Sequence, residues 1–194
     1  MLVFLKTCLA AVSRRVGLLV ALNWLFLGLV LFGALVGQVG LAVVLRWPVD
    51  ERAFTVGSGD AVLFLVSLFA SNLFLSGFVV VTLTGLCFFG LPLFFLCFRA
   101  FSWGLLLNEL PTPSFLAALP TLVIEGEGYV LATLAGVVLG MSWLKPRWAY
   151  HEDEFSRPEA LKEALKECAR VYVLVMLLLF VAAVVETVTL FIAS

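Results

Sequence analysis

Three side chains in this sequence could do chemistry that their neighbours cannot: Arg99, Glu125 and Glu127. All three stand inside the long apolar stretch from Asp60 to Leu144. Charges in hydrocarbon are costly, so they turn toward protein or water and are functional candidates by default. The run Glu125-Gly-Glu127-Gly has the ingredients of a broken helix with embedded acids, an arrangement that coordinates cations in transporters. The same residues also fit a plain structural role, in which the acids cap, pair or line a wet crevice. The sequence favours the structural role over ion or substrate coordination, and both over acid/base catalysis. Arg99 is expected to pair with one of the two glutamates, with Asn72 the polar group nearest to them. At about 1.5 Å of rise per residue, Arg99 lies roughly 12 Å below a helix end near Leu107. With a helix starting at Pro120, the glutamates lie roughly 8 and 10 Å below the same surface.

Other chemistry is not supported by motif. There is no His-Glu-x-x-His, no Gly-x-Ser-x-Gly and no phosphate-binding loop, and His151 is the single histidine. The cysteines Cys8, Cys87, Cys97 and Cys168 form no Cys-x-x-Cys pair, so neither a disulfide scaffold nor a zinc site is expected. We therefore expect no catalytic residue, no metal, no cofactor and no enzyme activity.

The elements that must hold these residues are membrane helices. The chain is 63% hydrophobic and 13% charged, with a mean hydropathy of +1.17. Soluble domains are nearer 45–50% apolar and about 25% charged, so much of this surface must face lipid. A net charge of −1 argues against a nucleic-acid partner. The expected fold is an all-α polytopic bundle forming one membrane domain over 1–194. Its membrane segments are placed at about 16–45, 61–83, 86–107, 120–144 and 170–193. Thr82-Leu-Thr84-Gly85 reads as a weak, uncharged break, so 61–107 either crosses twice or forms a re-entrant hairpin. Pro92 is expected to kink the third segment, and Pro120 to open the fourth. Phe115 to Leu119 is expected along the interface.

Small residues spaced four apart allow close helix approach. Gly33 and Gly37 form one such pair, Gly136 and Gly140 another. After the polar stretch 145–157, Ser156-Arg-Pro-Glu159 has the spacing of a capping box. It opens an amphipathic stalk, 156–169, that runs into the last span, read as wholly apolar from Val171 to Ala193. Leu161, Ala164, Leu165 and Cys168 form the stalk's apolar stripe, expected to face protein: either the N-terminal segment or a partner. Glu159/Lys162 and Glu163/Lys166 are spaced to pair on its wet side.

The middle of the chain resembles the stage II sporulation protein M family of small integral membrane proteins. Phe69-Ala-Ser-Asn72-Leu73 is similar to the family's Phe-x-x-Asn segment, and glycines punctuate the hairpin that follows, from Gly77 through Gly85 and Gly90 to Gly104. Leu119-Pro120-Thr121-Leu122-Val123-Ile124-Glu125 is similar to the family's Leu-Pro-His-Gly-x-x-Glu signature, with Thr121 and Leu122 where His and Gly are usual. The family's Asn-Gly pair in the hairpin is missing. The resemblance covers 60–144 and implies five spans with the N-terminus inside. In endospore formers it implies an organiser of a septal wall-degrading complex, a role not carried over here because many relatives make no spores.

Function is expected to be the organisation or scaffolding of a membrane complex, through other membrane proteins or a homo-oligomer in the bilayer. The alternative is a small transporter or channel subunit with its polar site at Arg99, Glu125 and Glu127. Basic residues in short flanks mark the cytoplasmic side. Lys6, Arg14 and Arg15, and the six basic residues of 145–170, place the N-terminus and 145–170 inside and the C-terminus outside the cell membrane. With the four native cysteines replaced, Ser194→Cys is expected to label with an impermeant thiol reagent in intact cells. Labelling of Ser156→Cys instead would reverse the orientation.

Overall fold

The computed structural model describes residues 2–38, 61–107, 112–150 and 156–193, and their regular structure is helical throughout. The helices are α1 (Leu2–Ser13), α2 (Val16–Gln38), α3 (Ala61–Cys87), α4 (Gly90–Leu107), α5 (Thr112–Leu144), α6 (Pro146–Tyr150) and α7 (Arg157–Ala193). Five of them, α2, α3, α4, α5 and α7, are long and apolar enough to cross a membrane. The expected end of the first span at 45, the polar loop at 47–60, the turn at 108–111 and Ser194 lie outside the described residues. So do the side chains of 112–117, including the expected interfacial Phe115.

Several boundaries differ from the sequence expectation. The break at 82–85 is not there: α3 runs through it to Cys87, and the chain reverses at Phe88 and Phe89. Thr84 Oγ1 donates back to the Val80 and Val81 carbonyls at 2.8 and 2.9 Å, so its hydroxyl serves the helix instead of ending it. At 27 residues for α3 and 18 for α4, neither arm of the hairpin is a half-helix. Pro92 falls in the first turn of α4, where its missing N–H costs nothing, and not at a mid-span kink. Likewise α5 starts at Thr112, with Pro113 as its first-turn proline, and Pro120 lies inside the helix. Nor is α5 broken at Glu125-Gly-Glu127-Gly.

The axis of the bundle is α5. Over its apolar window 78% of residues are buried, against 17–33% for the other four spans. In lipid the hydrophobic effect does not drive helices together, so association depends on close packing. Here glycine supplies it. A side chain at Gly33 would overlap the Phe101 carbonyl, and one at Gly104 the Val30 carbonyl, so α2 and α4 meet backbone to backbone. Gly37, one turn on, is half-buried. A side chain at Gly85 would overlap the Gly136 carbonyl, and one at Gly140 the Gly85 carbonyl, which seats the α3–α4 hairpin on α5. The glycines between and after the glutamates have the same use: Gly126 takes the ring of Phe26 from α2, and Gly128 takes Leu179 from α7.

Within α3, Ser71–Leu83 is wound as a π-helix. Such stretches are rare, usually a single turn, and gather at functional sites. At 3.6 residues per turn, residues five apart diverge by about 140°. The wider π turn lets Asn72, Gly77 and Thr82 all be buried. The hydroxyls of Thr82 and of Tyr172 from α7 touch each other, the Gly77 carbonyl and the Ala132 carbonyl of α5. Two protons serve three contacts, so the chain of donation runs toward Gly77 or toward Ala132, one way at a time.

Gly85→Val is expected to lower stability by about 1–3 kcal/mol, the usual cost of overpacking, read as a lower midpoint of thermal unfolding in detergent. Gly17→Ala, whose added methyl meets nothing within 4 Å, is expected to leave the midpoint unchanged or raised.

Candidate functional site

Arg99 from α4 and Glu125 from α5 form an ion pair inside the bundle. Arg99 Nη2 donates to Glu125 Oε1 at 3.0 Å. Glu125 is 7% exposed, whereas the arginine side chain keeps 28% of its surface open. Each partner recruits the residue one turn along its own helix. The Arg99 guanidinium lies 3.7 Å from the ring centroid of Tyr129 and 5.1 Å from that of Trp103. The rings of Trp103 and Tyr129 meet edge to face, as do those of Trp103 and Phe26. A desolvated cation–π contact is worth about 2 kcal/mol, comparable to the cost of about 3 kcal/mol for a central arginine on insertion scales. The charge is thus answered twice, by a carboxylate and by aromatic faces. The Tyr129 hydroxyl lies within electrostatic reach of Glu125 and Ser76 but has no well-formed hydrogen bond to a described group.

Of the other expected site residues, Glu127 falls elsewhere. Glu127 points about 200° around α5 from Glu125, away from Arg99, and has no cationic partner among the described residues. Asn72 is buried on the π-helical wall. The glutamates also lie deeper than expected. Because α5 starts at Thr112, Glu125 and Glu127 lie roughly 20 and 22 Å along it, so the pair sits near mid-span. Sequence reasoning also passed over Glu186, a charged residue in the run read as wholly apolar. It lies on α7, close enough to Glu125 for the two carboxylates to repel. Trp103 and Tyr129 carried a usable signal, since each stands four residues after a charged member of the pair.

A second cluster ties the ends of the chain together. Arg15, at the turn between α1 and α2, donates through Nε to Glu167 Oε1 of α7 at 3.0 Å and through Nη1 to the Ala149 carbonyl of α6. Tyr150 also donates to Glu167, and the Arg15 guanidinium lies 5.3 Å from its ring centroid. Burial, with the neighbouring Glu167 carboxylate, pushes the Tyr150 hydroxyl well above its ordinary range and keeps it a donor. Nearby, Ala160, Ala164 and Cys168 form a buried stripe on α7, with Leu161 packed beside Val138 and Leu139 of α5. The stripe packs on α1 and α5. Leu165 does not belong to it: it is 52% exposed, because the packed residues follow a four-residue step that leaves 165 outside. Ser156 donates to Glu159 through its backbone N–H and its hydroxyl, which holds the Glu159 carboxyl below its usual range. Glu159 therefore caps α7 instead of reaching Lys162, while Lys166 pairs with Glu163 at 2.9 Å.

The family model described as Stage II sporulation protein M matches residues 24–189. The chain belongs to the stage II sporulation protein M family. No curated protein and no solved structure matches it. The family match takes in Asn72, Arg99, Glu125, Tyr129, Glu167 and Glu186 but leaves out α1 and Arg15, so the cationic half of the second cluster comes from outside the family-defined region.

Removing one partner of a buried ion pair typically costs 3–5 kcal/mol. Arg99→Leu and Glu125→Leu are each expected to lower yield and thermal stability sharply, with the double variant recovering much of the loss. Equal stability of wild type and Arg99→Leu by thermal unfolding would show that the aromatic cage and the pair are dispensable.

Proposed function

We propose that this member of the stage II sporulation protein M family is a non-catalytic subunit that organises a membrane complex. The observation that carries the reading is the Arg99–Glu125 pair, closed over by Tyr129 and Trp103. Its charges answer each other, and backbone contacts close α5 onto the α3–α4 hairpin, which suits a solid scaffold better than a conduit. The outer faces of the bundle are broad and apolar: Trp24, Leu35, Val62, Leu63, Phe74 and Phe94 are all at least 60% exposed. They offer surface to lipid and to neighbouring membrane helices.

The chain is a multi-pass membrane protein. For its orientation we place the N-terminus and 145–170 in the cytoplasm and the C-terminus outside. The count of basic residues supports this, and the joining of Arg15 to Ala149 and Glu167 puts the two basic segments at the same end of the bundle. A second reading, a small transporter or channel subunit, draws on Glu127 and Glu186. These two acids lack a cationic partner among the described residues, so a polar path with Arg99 and Glu125 has material to work with.

Purification from the native membrane in a mild detergent, followed by mass spectrometry of the intact assembly, separates the readings. The scaffold reading expects a second membrane protein in stoichiometric amount. A homo-oligomer enclosing a polar lumen, with no other protein, would favour transport.

A further inference from the structure

From Glu125 through Gly140 every residue of α5 is buried except Glu127. The one opening in the central wall of the bundle is therefore a carboxylate. It continues a stripe. Pro120, Val123 and Glu127 recur at i, i+3 and i+7, which puts them on one face of the helix. Pro120 and Val123 are exposed, Val123 at 59%. Further along the same face Leu131, Leu134 and Val138 are buried. The face is thus open over the first half of the span and closed beyond Glu127. Its flanks are known from the neighbouring glycines: Gly126 rests on Phe26 of α2, and Gly128 on Leu178 and Leu179 of α7. The opening is a seam between α2 and α7, with apolar walls and an acid at its inner end.

Depth follows from the same contacts. Phe26 stands near the middle of α2, a helix of 23 residues and so roughly 34 Å long, close to the hydrocarbon thickness of about 30 Å. Glu127, next to the glycine that Phe26 touches, lies near the bilayer midplane. A lipid tail in the seam would leave that carboxylate without solvent or counter-charge. A second copy of this chain cannot supply the charge either. Among the described residues the basic side chain at that depth is Arg99, which already serves Glu125, whereas Arg170 on α7 lies nine residues, roughly 13 Å, along the helix from the Leu179 that Gly128 meets.

We propose that the seam between α2 and α7 receives a transmembrane helix of a different protein, one that is apolar along its length and carries a single lysine or arginine at mid-membrane to meet Glu127. The proposal rests on the scaffold reading and names the chemistry of the partner it requires. Charge complementarity sets the register: an intramembrane acid is satisfied by a base at its own depth, and the walls at Pro120 and Val123 accept an apolar helix surface.

The test uses the full-length protein in lipid nanodiscs and a synthetic Leu/Ala transmembrane peptide with one central arginine, followed by energy transfer between dyes on the two. The arginine peptide is expected to associate about tenfold more tightly than a matched peptide with leucine at that position, a difference of about 1.4 kcal/mol. Glu127→Gln is expected to abolish the difference and Glu186→Gln to leave it. Val123→Trp, which fills the wall without touching the acid, is expected to weaken both peptides. Equal association of the two peptides, or a difference that survives Glu127→Gln, overturns the proposal. Native-membrane purification keeps this separate from the scaffold reading. A stoichiometric partner retained by both Glu127→Gln and Val123→Trp overturns the seam and leaves the scaffold standing. Loss of that partner from the two variants supports both. Association of the arginine peptide through Glu127, with no native partner at all, supports the seam as a helix-binding surface and overturns the scaffold.

Discussion

Backbone touching backbone is the constraint on which the rest of this structure depends. Two carbonyl oxygens, of Gly136 and Gly85, occupy the space where side chains at Gly85 and Gly140 would stand, and the same holds for Gly33 and Gly104 between α2 and α4. Once α3, α4 and α2 are drawn this close around α5, the distance from Arg99 to Glu125 follows, because the two residues lie on helices already in register. The ion pair is a consequence of the packing as much as a cause of it. It adds specificity, since a one-turn slip of α4 against α5 would move the guanidinium away from both the carboxylate and the Tyr129 ring.

The parts that could be read from the sequence are those set by composition and by local periodicity. The number of spans follows from hydropathy, because no other solvent tolerates so little charge. Gly33, Gly136 and Gly140 could be read because their spacing has one main physical use in a membrane helix. The need of Arg99 for a carboxylate partner could be read from cost alone. The choice between Glu125 and Glu127 could not, since it depends on how α5 is rotated about its axis, which is fixed by contacts of Gly126 and Gly128 with other helices. Boundaries failed where side chains with two uses were given the wrong one. The threonine hydroxyl of Thr84 can end a helix or bond back into it, and a proline such as Pro120 can open a helix or lie within one.

The features that sequence reasoning missed share a different cause. The π-helical winding of Ser71–Leu83 is paid back by contacts made from α5 and α7, notably the Tyr172 hydroxyl at the Gly77 carbonyl. No local pattern announces it. Glu186 was hidden by averaging, a single acid in a strongly apolar window. The Arg15–Glu167 contact joins residues 152 apart and draws on a helix, α1, that hydropathy alone leaves as an unremarkable leader to the first span.

That last contact has a consequence in time. Synthesis at about 5–20 residues per second means that Arg15 waits roughly 8–30 s for Glu167, 152 residues on, to be made. During that interval α2 can already be inserted, while the cation at its start has no carboxylate to hold it. A charge in that position is costly to draw into hydrocarbon, so until then it is held at the start of α2 by its own cost of burial. When α7 arrives, the same guanidinium becomes a latch, closing on Glu167 across the whole bundle.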